Sequence, residues 1–480
     1  MERNMRSWSW PWPLFSVFLI APLLFSVLIA STSVEARKHH HSYKKTHNRP
    51  HCNKHSNHRK GSDSGGGGFN PPADSTTDST TYNVVSYGAR GDGVTDDSQA
   101  LVGAWKAACQ VPGAATVKIP SGFRFLMRPV NLQGPCNGQL TLQIDGTLLA
   151  LSRVGDWPKS SMFQWLNFKW VQNFTIQGSG TVDGQGSQWW TPSSLYYVQK
   201  MSKYIPDMKP TALRFYSSHG VTVRDIRIVN SPQCHLKFDY SGGIKVDNIT
   251  ISSPENSPNT DGIHLQSTRD VEIHHSNIGC GDDCVSIQSG CSNVHLHHIN
   301  CSPGHGISVG SLGKDKSAAC VSNIVVDNIS LCNTLAGVRI KTWQGGVGSV
   351  KNVSFTNIQV SDVKYPIIID QFYCDKHRCE NQTAAVAISG VKYDQIYGTY
   401  TAQPIRLACS TTVPCVDVDV ADIQLKPSTT SIAGIPSAAS LCWNSYGKSQ
   451  APLLPSSIDG CLRRDTAYVK RVARSHEHVC

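Results

Sequence analysis

Charged residues make up only 16 % of the 480-residue chain, and one stretch lacks one sign altogether. Between Arg37 and Lys60 there is no Asp or Glu, against eight Lys or Arg and seven His. Glu2 and Glu35 offset Arg3 and Arg6 ahead of it, so of the net charge of +10 only +2 remains for everything after Lys60. A body this close to neutral gives no basis for a nucleic-acid partner. Facing CxxC pairs are absent too, which removes the usual framework of a structural zinc site. After the N-terminal segment no apolar run is long enough to cross a membrane.

The one long apolar run, from about Leu14 to Ala30, follows basic Arg3 and Arg6 and ends in small residues near "STSVEA". That is the layout of a secretory signal peptide, residues 1–36, with cleavage after Ala36. An uncleaved anchor is the alternative, since such a run approaches the roughly 17 to 25 residues of a membrane helix. Residues 37–81 read as a disordered linker, basic and His-rich and then Gly-rich ("GSDSGGGG"), with too few apolar residues to bury. As a solvated spacer it would bind metal only adventitiously through its histidines. As an anchor it would concentrate acidic polymers by Coulomb attraction.

Seventeen cysteines fit an oxidising destination, as do sequons at Asn173, Asn248, Asn328, Asn352 and Asn381. An odd total leaves at least one thiol outside any intrachain set of pairs, with Cys52 and the terminal Cys480 as candidates.

From Val221 onward short alternating segments recur: "VTVRDIRI", "IKVDNITI", "VEIHHSNI", "VHLHHINC", "IVVDNISL" and "VSFTNIQV", at steps of roughly 23 to 30 residues. Such strands cannot bury an apolar face singly, whereas stacked coils bury all of them in one continuous core. The repeat therefore predicts an all-β fold, a parallel β-helix, rather than a Greek-key sandwich.

Each repeat carries a second strand. Aligning "TDGIHLQ", "DDCVSIQ", "GHGISVG" and "AGVRIKT" puts Ile263, Val285, Ile307 and Val338 at one inward position. Asp261, Asp283 and His305 then fall two residues before it. His264, Ser286, Ser308 and Arg339 fall one after it, and Gln266, Gln288, Gly310 and Lys341 two further on. Coils of a parallel sheet lie ~4.8 Å apart, so these positions form columns. Three aspartates, Asp261, Asp282 and Asp283, thereby meet His305, Arg339 and Lys341 on one face. A lone Asp-Gly is usually a turn, but stacked carboxylates raise the pKa of at least one member, giving a proton donor beside anions. Arg339 and Lys341 either pair with an anionic substrate or compensate the aspartates.

"SPNTDGIH", "GCGDDCVSI", "SPGHGISVGSLG" and "GVRIKTW", in that order, resemble the four signatures of the polygalacturonases of glycoside hydrolase family 28, and "YNVVSYGARGDGVTDDSQALVGAWKAAC" resembles the plant members. The resemblance covers about Tyr82 to Cys461. It implies a catalytic domain over 82–464, followed by a C-terminal tail over 465–480, folded as a right-handed parallel β-helix. The implied reaction is inverting hydrolysis of α-1,4 bonds between galacturonic acid units of pectin in the cell wall. It makes Asp282 the general acid and Asp261 and Asp283 the pair that activates water, with His305 supporting the acid. Arg339, Lys341 and Tyr373 would bind substrate. Cys284 with Cys301 is the implied disulfide. No cofactor or metal is expected, and the secreted chain is expected to act as a monomer. Alternatives are a hydrolase of substituted galacturonan in the same family, a calcium-dependent lyase and a non-catalytic pectin-binding wall protein. Endo and exo cleavage are both open.

Overall fold

The computed structural model describes residues 79–191, 209–375, 381–429, 438–477 and 480; the signal segment and nearly all of the basic linker lie outside them. The alternating segments are parallel strands stacked coil on coil. Among the described residues, twenty strands form one sheet and eleven the other. In the larger sheet Val221, Ile244, Val271, Val294, Ile324 and Val353 stand in one column, each the register partner of the next. The column runs on in both directions, through Phe174 and Leu140 before it and Val391 and Val418 after it. All but Val271 are at most 2 % exposed. Each such side chain contributes about 1.5–3 kcal/mol by leaving water, which is why the alternation sets the coil register.

The strands of the smaller sheet are labelled in chain order: β1 (Val130–Gln133), β2 (Gln164–Lys169), β3 (Thr211–Tyr216), β4 (Leu236–Asp239), β5 (Ile263–Gln266), β6 (Val285–Ile287), β7 (Ile307–Leu312), β8 (Ala336–Trp343), β9 (Tyr365–Tyr373), β10 (Ile405–Ala408) and β11 (Leu441–Trp443). Each pairs in parallel with the next. Between coils the chain turns through left-handed residues, and asparagine side chains there bond to the turn above: Asn293 donates to Asp270 at 2.9 Å, Asn323 to Asn293 at 3.0 Å and Asn352 to Asn323 at 3.2 Å. Asparagine tolerates this backbone and satisfies its neighbour.

Helix α1 (Ser98–Cys109) packs Leu101, Ala104, Trp105 and Ala108 against the first coils. Trp105 meets Phe168 and Phe174 at 5.9 and 5.2 Å between ring centres. Cys109–Cys136 fastens the end of α1. Strand Thr80–Asn83, paired with Ala115–Lys118, starts the solenoid two residues before the expected boundary at 82.

The segment 465–480, read from sequence as a tail, carries helix α2 (Ala467–Ser475), whose N-cap Thr466 accepts from the Val469 amide. Beyond it Glu477 pairs with Lys351 at 2.9 Å and accepts from Ser389 at 2.9 Å. Cys480 is bonded to Cys320, which corrects its place as a candidate free thiol. Cys52, the other candidate, lies outside the described residues. The free thiols among the described residues are Cys234, Cys280 and Cys291, all buried. Parity counts thiols but does not see that a buried cysteine packs as a small hydrophobe. Cys480→Ser should lower the melting temperature by a few degrees and open the C-terminal segment to proteolysis, because the Cys320–Cys480 bond spans 160 residues and disulfides typically contribute about 2–4 kcal/mol. An unchanged melting curve and digestion pattern would mean the ion pairs suffice.

Candidate active site

Strands β5 to β8 put the aligned residues where the repeat predicted. Ile263, Val285, Ile307 and Val338 are successive register partners, and so are His264, Ser286, Ser308 and Arg339. The third column breaks: pairing shifts between Val309 and Leu312, and Lys341 lies opposite Asp370 of β9. Asp261, Asp282, Asp283 and His305 sit in the turns just ahead of these strands. Two glycines allow the turns to approach. A Cβ on Gly281 would lie 1.9 Å from the Ser257 carbonyl oxygen; one on Gly306, whose φ is +86°, would lie 2.1 Å from that of Ala336. Cys284–Cys301, the disulfide implied by the resemblance, pins the coil between them.

Asp283 is 2 % exposed. Its Oδ1 accepts from Ser308 Oγ at 2.8 Å and Arg339 Nη2 at 2.7 Å, and its Oδ2 from Lys341 Nζ at 2.9 Å. Burial alone would raise its pKa, but Lys341 and Arg339 outweigh it and hold the carboxyl down at about 2. Asp261 is pushed the other way, chiefly by burial and also by the charges of Asp282 and Asp283, although His264 Nδ1 at 3.1 Å opposes the rise. Asp282 stands apart from the cations. Its Oδ1 accepts from the Asp283 amide at 2.8 Å and lies 3.0 Å from His305 Nδ1. Tyr373 is half-buried; Lys341 Nζ sits 5.3 Å from its ring centre and Trp343 meets it edge-on at 5.4 Å.

Arg339 and Lys341, expected from the resemblance to hold substrate carboxylates, are thus first of all the counter-ions of Asp283, 9 % and 6 % exposed. The sequence columns contained Ser308 and His264 but gave them no role. They did not reach one coil back to His235, which is buried, with Nδ1 2.9 Å from the Asp261 carbonyl oxygen and Nε2 2.7 Å from Ser253 Oγ. Burial depresses its pKa to about 4, so it stays neutral beneath Asp261. The Leu236 to Ile263 register shows that "CHLKFD" is one more copy of the aligned repeat. The same extension places Arg214 and Lys237 in the column of His264 and Arg339, and Arg406 beyond them.

Residues 109–442 match the family described as Glycosyl hydrolases family 28. The chain belongs to this family. The family 28 chain is 42 % identical over 361 residues to a polygalacturonase of Persea americana, covering 74 % of this chain and 76 % of that one. It is 41 % identical over 346 residues to polygalacturonase-2 of Solanum lycopersicum, covering 72 % and 74 %. The solved polygalacturonase from Erwinia carotovora ssp. carotovora matches with a TM-score of 0.59 at 23 % identity, over 75 % of this chain and 96 % of that one. That likeness speaks to fold, a right-handed parallel β-helix. Within this family 28 chain, one buried carboxylate locked as an anion and a second with raised proton affinity are groups of the kind that acid–base hydrolysis requires.

Proposed function

We propose that this chain is a secreted polygalacturonase that hydrolyses α-1,4-galacturonosidic bonds of homogalacturonan in the cell wall with inversion. The observation that carries this reading is the opposed proton affinities of two neighbouring carboxylates, Asp261 and Asp283, beside Asp282, together with relatives that bear the name polygalacturonase. Asp282, oriented by His305 and the Asp283 amide, donates its proton to the leaving glycosidic oxygen as the C–O bond breaks. A water on the opposite side bonds to the anomeric carbon and loses its proton to a carboxylate. Asp261 suits that proton better than Asp283, since a base works best with a pKa near the operating pH. Burial is the main reason Asp261 is the more basic of the two, and the fixed charge of Asp283 adds to it. Arg214 and Lys237, which share the single carboxylate of Asp239, and the exposed Arg406 leave this face with a positive excess that favours a polyanionic chain, and Tyr373 offers a flat wall beside Lys341.

Product sizing on de-esterified homogalacturonan tests the reading. A ladder of oligomers means endo action, monomer alone means exo action, and the first-formed anomer reports inversion. No new reducing ends, or products absorbing in the ultraviolet through a new double bond, would overturn it. We also propose that the basic segment from Arg37 to Lys60 holds the enzyme on acidic wall pectin. Contacts between exposed charges weaken with salt, the Debye length being ~10 Å at 0.1 M. Retention of the full-length chain on pectin should therefore fall steeply with salt, while a chain starting at Ser62 binds weakly at all salt levels and cleaves soluble oligomers at the same rate. Equal retention of both at low salt would leave the segment a spacer.

A further inference from the structure

The larger sheet carries a second constellation that the hydrolytic reading does not use. The repeats "VEIHHSNI" and "VHLHHINC" put His-His pairs on two consecutive coils, with Asp247 and Asp327 on the coils either side. Asp247, His274, His297 and Asp327 are successive register partners. Three atoms converge at one end of this stack. His274 Nδ1 lies 2.9 Å from Asp247 Oδ1, His275 Nδ1 lies 3.6 Å from the same oxygen, and the two imidazole nitrogens are 2.7 Å apart.

We propose that Asp247, His274 and His275 bind a divalent first-row transition-metal ion, with Zn²⁺ as the ion the donors suit. Two imidazole nitrogens and one carboxylate oxygen are donors that Zn²⁺ accepts at about 2.0–2.2 Å. Ligands at such bond lengths stand about 3–3.5 Å from one another, close to the separations here. The surroundings fix the ligands from behind. The His274 ring stacks on His297 with centres 4.9 Å apart and planes 7° apart, and His297 Nε2 reaches Glu272 at 3.4 Å. His275 stacks on His298 at 5.0 Å. The stacked neighbours hold both imidazole planes in place, with the Nδ1 atoms of His274 and His275 on the side of Asp247 Oδ1.

The turn itself does not require histidine. His275 has φ 49°, and the residues that follow Asp247 and Asp327 in the same turn column are Asn248 and Asn328, with φ 51° and 53°. The imidazole of His275 is 58 % exposed, which leaves the position accessible to an ion and able to adjust. Such an ion would tie the coil of Asp247 to the next one on a sheet separate from the one that carries the candidate catalytic carboxylates.

The test uses the full-length chain and Zn²⁺ in equilibrium dialysis near pH 7, comparing wild type with His275→Asn and Asp247→Asn. Asparagine at 275 repeats the residue of the flanking turns and so preserves the backbone, and unchanged galacturonan hydrolysis would check the fold. The seven histidines of the N-terminal segment are present in every form and cancel in the comparison. Wild type should retain one more Zn²⁺ per chain than either variant, or bind that equivalent at least tenfold more tightly, and only wild type should gain melting temperature with Zn²⁺. Equal stoichiometry, equal affinity and equal melting shifts would overturn the site and leave the histidines as stacking residues of the turn.

Discussion

Replacing Asp282 with Asn is expected to reduce hydrolysis of homogalacturonan by about 10²–10⁴-fold and to leave the circular dichroism spectrum and melting temperature near those of wild type. The amide has the shape of the carboxyl group. Its oxygen can still accept from the Asp283 amide and face His305, the contacts that Asp282 Oδ1 makes at 2.8 and 3.0 Å. It has no acidic proton to give to the leaving oxygen. Because Asp282 makes no ion pair with Arg339 or Lys341, the change does not disturb the buried network of Asp283, and lost activity would not be confounded with lost stability. A purified variant that keeps more than a tenth of wild-type turnover would remove Asp282 from the role of acid.

The coil register was legible because hydrophobic alternation is a physical requirement of every coil. An outward Ile244 or Val271 would expose apolar surface and break the stack, so the column from Val221 to Val353 follows from the alternation alone and holds in the structure. The same logic gave the outward column of His264, Ser286, Ser308 and Arg339. It failed two residues further on, where pairing shifts around Gly310 and Ser311 and no side-chain periodicity marks the shift. Partner choice was not legible either. Arg339 and Lys341 share the face of the aspartates in sequence, and only the depth of Asp283 decides that both turn to it. The C-terminal segment escaped because its anchors, Glu477 with Lys351 and Cys480 with Cys320, join residues more than a hundred positions apart and follow no repeat. His235 was within reach, since its coil has the same alternation, but two residues before its inward Leu236 stands Cys234 where the next coil has Asp261.

Lys341→Met should lower the free energy of unfolding by about 3 kcal/mol at neutral pH, the low end of the roughly 3–5 kcal/mol lost when a buried ion pair is broken from one side. Methionine keeps most of the stem's volume, so the loss is of charge rather than of packing. Asp283, with a side chain 3 % exposed, then remains buried with only Arg339 and Ser308 to compensate it. The pH dependence separates this account from a substrate-binding role. In wild type the Asp283 carboxyl lies at about 2, against about 3.9 for an unfolded aspartate. A depressed carboxyl contributes stability that is fully present above the unfolded value and is lost as pH falls through the folded one. Without Lys341 the folded value rises, so less stability is lost in acid. The gap between variant and wild type should therefore be widest at neutral pH and close as pH falls from about 4 towards 2. Urea unfolding across this range would measure it. A gap under about 1 kcal/mol at every pH, the size of an exposed pair, would instead mean that Lys341 does not hold Asp283 in solution. In that case weakened binding of oligogalacturonate by the variant would assign the ammonium group to the substrate carboxylate.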